Sequence, residues 1–180
     1  MRAASVIRFI VFGALGFGIG GTLSGLLGVF GLPLALLLGR AVGGAGLGLA
    51  LKDCRRAVIL ALLGALGLTV GLLAVLIAGA SFNYAAAPIA TIVGAMVGAS
   101  LGAAFLDWRT ILALAVAGAG GFGVGVPAGD FLWESFLFPM GVWEGVSITI
   151  AGLVGGEFLG AALGYLENRK LNEERSPRVR

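Results

Sequence analysis

The chain has no histidine and a single cysteine, Cys54, among its 180 residues. The first absence removes imidazole-based acid–base and nucleophilic catalysis and most transition-metal sites. The second rules out an intramolecular disulfide. Charge is scarce as well. Asp, Glu, Lys and Arg make up 12% of the residues, against roughly a quarter in ordinary soluble domains. No serine sits in a nucleophile elbow, no Lys-Ser/Thr pair follows a glycine-rich loop, and no two carboxylates share an apolar segment. An enzyme is therefore not expected, nor a metal or cofactor.

Apolar residues fill the space instead. They account for 59% of the chain, and the mean hydropathy is +1.06. A water-soluble protein of this size has too little interior to hide so much apolar surface, whereas a bilayer solvates it. Nearly all of the 33 glycines lie inside the apolar runs and not between them, where small residues let helix backbones approach closely. They follow no triplet period, which excludes collagen.

A span needs about 20 mainly apolar residues. Six stretches qualify: 6–29, 34–51, 57–80, 85–106, 110–128 and 146–166. The predicted fold class is an all-α integral membrane protein with six transmembrane helices. A single transmembrane domain, 1–166, precedes a charged tail, 167–180, expected to fray. The basic start with its long apolar run reads as a retained first helix, too long for a signal peptide's apolar core. Pro33 and Pro88 fall near predicted helix starts, where a missing N–H costs little.

A net charge of +3 and a pI near 9.6 do not point to nucleic acid, because the basic residues cluster at segment ends. They set orientation. With the N-terminus inside, Arg2, Arg8, Lys52, Arg55, Arg56, Arg109, Arg169, Lys170, Arg175, Arg178 and Arg180 are all inside, and the twelfth, Arg40, lies within a span. The outer loops hold only acids: Asp130, Glu134 and Glu144. Both termini are predicted cytoplasmic, in a bacterial-type inner or plasma membrane.

The sequence also repeats. Gly13-Ala14-Leu15-Gly16-Phe17-Gly18-Ile19-Gly20 is echoed by Gly64-Ala65-Leu66-Gly67-Leu68-Thr69-Val70-Gly71 and by Gly118-Ala119-Gly120-Gly121-Phe122-Gly123-Val124-Gly125. A second element alternates with it: 44–50 aligns with 98–104 and, by its glycines, with 156–162. Asp53 and Arg55 correspond to Asp107 and Arg109. Three tandem helical hairpins, about 6–51, 57–106 and 110–166, follow, with pseudo-threefold symmetry about the membrane normal.

Three constellations stand out. Gly44 and Gly48, then Gly94, Gly98 and Gly102, then Gly152, Gly156, Gly160 and Gly164 recur every four residues. Each set gives one helix face without side chains, suited to packing within the monomer, to oligomerisation or to a smooth pore lining. Arg40 and Glu157 are intramembrane charges, each costing on the order of 3 kcal/mol at mid-bilayer. Their depths differ by roughly 7–8 Å at 1.5 Å per residue, a gap that long side chains can mostly bridge. The readings are a direct or water-mediated bridge, a polar point on a solute or proton path, or Arg40 snorkelling outward with Glu157 protonated. The outer loop 127–145 carries Trp133, Trp143, Phe131, Phe136 and Phe138 among Asp130, Glu134 and Glu144, a pattern for the headgroup level. It reads as an interfacial helix or re-entrant lid or, more sharply, as a docking surface for a partner or ligand. Asn83 and Tyr84 hold the equivalent loop of the middle hairpin.

Glycine-rich hairpins with one membrane carboxylate resemble the rotor c-type subunits of rotary ATPases, in which a helix glutamate binds the ion. The departures are specific: Asp-x-Arg stands where that family has a polar loop, and Arg40 has no counterpart there. The likeness is one of composition and carries no membership. The leading functional expectation is a transporter or channel-like protein for a small solute or ion, centred on Arg40 and Glu157. The other is a structural subunit of a membrane complex assembled through glycine faces. Lipid is the expected surrounding partner, with further copies or other membrane subunits beside it and no nucleic acid.

Overall fold

The computed structural model describes the backbone of residues 3–27, 32–77, 86–136 and 143–175, and the side chains of 5–27, 34–77, 87–132 and 146–173. The described residues form six α-helices: α1 (Ala3–Leu27), α2 (Leu32–Ala50), α3 (Cys54–Ile77), α4 (Ala86–Ala103), α5 (Trp108–Phe136) and α6 (Trp143–Arg175). Each helix packs on its neighbours in sequence, and α6 closes the circuit against α1.

Four helices are long and apolar enough to cross a membrane: Ser5–Leu27, Cys54–Ile77, Trp108–Leu132 and Val146–Glu173. The apolar stretches of α2 and α4, Leu34–Ala50 and Ala87–Ala103, are shorter. At 1.5 Å per residue the 19 and 18 residues of these two helices extend about 27–28 Å, just under a hydrocarbon core of about 30 Å.

Two boundaries differ from the sequence-based ones. The fifth span was expected to end at 128 and give way to an outer segment at the headgroup level, but α5 runs on through Pro127 to Phe136. Proline removes one N–H and does not by itself end a helix whose neighbours hold it straight. At the other end, α6 continues through Glu167 to Arg175 instead of fraying after 166. Arg169 Nε donates to Glu173 Oε1 at 2.8 Å, one turn on, a spacing that supports an exposed helix. Asn83, Tyr84, Phe138 and the last five residues of the tail lie outside the described residues.

The two described turns share one design. Lys52 and Leu106 adopt positive φ, 58° and 52°, closing α2 and α4. An aspartate follows each. Asp53 Oδ1 accepts the amides of Arg55 (2.9 Å) and Arg56 (3.2 Å). Asp107 Oδ1 accepts the amide of Arg109 (3.2 Å), and Oδ2 accepts the Thr110 hydroxyl (2.8 Å). Each aspartate thus satisfies orphan donors at the next helix's N-terminus, the usual work of an N-cap.

Glycine governs how the helices meet. Gly44 rests on the Leu60 backbone and Gly48 on Ala57; Gly98 rests on Leu114 and Gly102 on Ile111; Gly160 rests on Phe9 and Gly164 on Val6. A Cβ at Gly44, Gly98 or Gly160 would overlap the facing carbonyl. Gly94 faces Gly118, Gly156 faces Gly13, and Gly152 faces the Phe17 backbone in the same manner. The interior is closed by buried side chains, among them Phe9, Leu60 and Leu114, then Leu47, Leu101 and Leu163, then Phe17, Leu68 and Phe122.

The outer surface is apolar. Ile77 is 79% exposed, and Leu26, Leu62, Val116 and Leu76 are exposed to a similar degree. In water such a surface drives association.

Candidate functional site

Arg40 sits in the middle of α2, between Gly39 and Gly43. Gly39 packs against Gly20 and Ser24 of α1, and the Arg40 carbonyl lies against Gly64 of α3. These contacts fix the backbone of α2 on both flanks. The long side chain then has one direction left. Its guanidinium carbon stands 4.1 Å from the centroid of Phe122 on α5 and 5.8 Å from that of Phe17 on α1. The two rings meet edge to face, with centroids 5.8 Å apart and planes at 69°.

Three helices therefore contribute to one cation–π cluster, and glycines make room for it. A Cβ on Gly43 would strike the Phe17 ring, one on Gly155 the Phe122 ring, and one on Gly94 the Phe122 Cβ. Aromatic faces stabilise a guanidinium by about 2 kcal/mol when it is desolvated. They accept no hydrogen bonds of ordinary strength. Arg40 is half-buried, and among the described residues no carbonyl or hydroxyl accepts from it and no carboxylate pairs with it. A guanidinium carries five N–H donors and no acceptor, so rings alone do not satisfy it.

Glu157 is elsewhere. It is exposed on α6 beside the exposed Leu153 and Phe158. Its neighbour Gly156 faces Gly13, one residue and so about 100° around the helix from it. The sequence-expected Arg40–Glu157 contact is not made. A stripe of four-residue spacing places Glu157 close to the glycine face by count, but the packing centre of α6 runs through Gly152, Gly156 and Gly160, which turns Glu157 outward.

Of the outer aromatic–acidic segment, Asp130 and Phe131 lie on α5. Asp130 Oδ1 accepts the hydroxyl of the buried Ser147 on α6 at 3.1 Å, and Phe131 is 68% exposed. The side chains of Trp133, Glu134, Phe136, Trp143 and Glu144 lie outside the described residues. The glycines of the four-residue series all lie at helix contacts inside the chain.

Sequence reasoning missed Phe17 and Phe122. The signal was available, since both occupy the same place in the glycine-rich octapeptide, as Gly16-Phe17-Gly18 and Gly121-Phe122-Gly123. Among the described residues no group of three His, Cys, Asp or Glu gathers as a metal site. Comparison with protein-family models, with curated proteins and with solved structures finds no match.

Proposed function

We propose that this is a six-span integral membrane protein with cytoplasmic termini, and that it binds and passes a small anionic solute at Arg40. The exposed apolar surface supports the membrane setting. The lysine and arginine asymmetry supports the orientation.

The repeat is supported by contact register. Gly44, Gly98 and Gly160 each face the residue four before an equivalent glycine: Leu60 before Gly64, Leu114 before Gly118, Phe9 before Gly13. That register aligns Gly44-Ala45-Gly46-Leu47-Gly48 with Gly98-Ala99-Ser100-Leu101-Gly102 and Gly160-Ala161-Ala162-Leu163-Gly164. It lies four residues further along α6 than the alignment by sequence alone. Arg40 then corresponds to Gly94 and Gly156, the two members that carry no side chain. One cation breaks a threefold pattern of glycines at the centre of the bundle.

The single observation behind the anion reading is the Arg40 guanidinium, held over Phe122 with no acceptor among the described residues. A bare charge in a span costs on the order of 3 kcal/mol, and a glycine in its place would avoid that cost. An oxyanion or halide meeting the N–H fork offsets it by charge-assisted hydrogen bonds. The test is uptake of chloride, phosphate and small carboxylates into liposomes containing the purified protein. Arg40→Gln, checked for folding by its melting curve, is expected to lose uptake at least tenfold. Equal uptake by a folded Arg40→Gln variant sinks the proposal.

Glu157 favours a second reading, assembly with another membrane chain. Thr149, Glu157 and Tyr165 recur every eight residues along α6, and Glu157 and Tyr165 are both exposed. A carboxyl on the lipid-facing side gains from a hydrogen-bonding partner helix. Crosslinking in native membranes tests it: a partner captured by the wild type and lost in Glu157→Gln supports assembly, and identical patterns count against it.

A further inference from the structure

A second basic site lies at the end of the bundle where the two described turns are. Trp108, Arg109, Leu112, Ala113 and Val116 on α5, with Arg169 on α6, line an open groove of about 540 Å³. Its composition is graded. Leu112 and Val116, exposed at 56% and 67%, sit one and two turns further into the apolar part of α5, on the same face as Trp108 and Arg109. The two guanidinium groups and the exposed indole of Trp108 stand at the mouth.

The charges there are partly committed. Arg169 gives its Nε to Glu173 at 2.8 Å, while its two terminal nitrogens donate to no described residue. The Arg109 guanidinium carbon lies 5.7 Å from the Trp108 ring and has no carboxylate partner among the described residues. Asp107, the nearest acid in sequence, spends its oxygens on the Arg109 amide and the Thr110 hydroxyl. Lys170 adds another cation nearby, with Nζ 5.8 Å from the Phe105 ring. The mouth is net positive, and the groove below it is apolar.

We propose that this groove binds one anionic glycerophospholipid of the cytoplasmic leaflet. The phosphate sits between Arg109 and Arg169, the glycerol region lies against Trp108, and an acyl chain runs along Leu112 and Val116. A basic pocket between helices on the cytoplasmic side suits such a headgroup. Arginine suits it better than lysine, because its fork meets two phosphate oxygens at once. Trp108 occupies the level where indoles favour the interface. The proposal takes the cytoplasmic placing of this end from the charge asymmetry, and it is independent of any solute at Arg40.

Native mass spectrometry of the full chain, delipidated in mild detergent and offered equimolar phosphatidylglycerol and phosphatidylcholine, tests this directly. Phosphatidylglycerol adducts are expected to exceed phosphatidylcholine adducts by about tenfold. Arg109→Gln with Arg169→Gln should bring the two close to parity, and Arg109→Lys with Arg169→Lys should recover only part of the preference. Lys52→Gln with Arg55→Gln removes the same charge from the neighbouring turn and should leave the preference intact. Equal binding of the two lipids by the wild type overturns the proposal even if a variant fails to fold. So does an equal loss in the Lys52/Arg55 pair, which would mean that diffuse positive charge attracts the lipid. Labelling of Cys54 from outside the cell would overturn the orientation without touching the lipid preference, so the two failures are distinguishable.

Discussion

The guanidinium carbon of Arg40 lies 4.1 Å from the ring centroid of Phe122 and 5.8 Å from that of Phe17. Cation–π attraction weakens with distance, so Phe122 is the main support of the charge. Phe122→Leu keeps most of the ring's volume and removes its quadrupole. The loss of about 1–2 kcal/mol of orienting energy should lower the apparent affinity for a transported anion about threefold to tenfold. Phe17→Leu should do less. Concentration dependence of liposome uptake measures both, and a larger effect from Phe17→Leu would contradict this order.

The glycine contacts make a sharper stability prediction, because two glycines in one bundle should respond oppositely. A Cβ on Gly98 would overlap the carbonyl of Leu114, which is backbone and has nowhere to move. Gly98→Ala is expected to cost about 1–3 kcal/mol, as overpacking does. Gly120 looks out on the Phe158 ring, whose nearest atom is 3.6 Å from where a Cβ would stand. That is ordinary contact. Gly120→Ala should therefore leave the melting temperature unchanged or raise it, given alanine's better helix propensity. Melting of both variants in one detergent decides it, and similar losses would show that the contacts do not control packing.

Asp107 gives a pH dependence. Hydrogen bonds from the Thr110 hydroxyl and then the Arg109 amide hold its carboxyl below the ordinary value of 3.8. A carboxylate depressed in the folded state contributes stability that is fully present above the unfolded value. That contribution fades as pH falls through the lowered folded one. The melting temperature should thus be flat above pH about 5 and decline below about 4. Asp107→Asn should melt lower at neutral pH and show a shallower decline in acid. A variant with the wild-type slope would assign the acid response to other carboxylates.

Much of the architecture was legible because it rests on length and composition. Helix existence, and the length and apolarity of the four long helices, follow from residues local to one another. What stayed hidden depends on rotation about helix axes. Glu157 and Gly156 are adjacent in sequence, yet one is exposed and the other faces Gly13. A four-residue glycine period fixes a stripe but not how wide the packed sector is, so it could not tell which neighbour of the stripe turns inward. The register of α6 was ambiguous for a related reason: Gly152, Gly156, Gly160 and Gly164 repeat every four residues, and any shift of four preserves most matches. Only the facing partners, Phe9 and Val6, break that degeneracy. The length of α5 beyond residue 128 was hidden because Asp130 and Glu134 interrupt the apolar run by which a span is recognised.

Cys54 tests the orientation without engineering. It is the chain's sole cysteine, it is exposed at the first position of α3, and it adjoins Arg55 and Arg56, which carry part of the charge asymmetry. If the turn between α2 and α3 is cytoplasmic, a membrane-impermeant maleimide added to intact cells should leave it unlabelled, and permeabilisation should make it react. The wild-type protein serves directly, so no substitution can disturb the fold. Because the thiol is exposed, reaction after permeabilisation makes a negative result in intact cells meaningful. Labelling before permeabilisation would place Lys52, Arg55 and Arg56 outside, invert all six spans, and move the Trp108–Arg169 groove to the opposite leaflet.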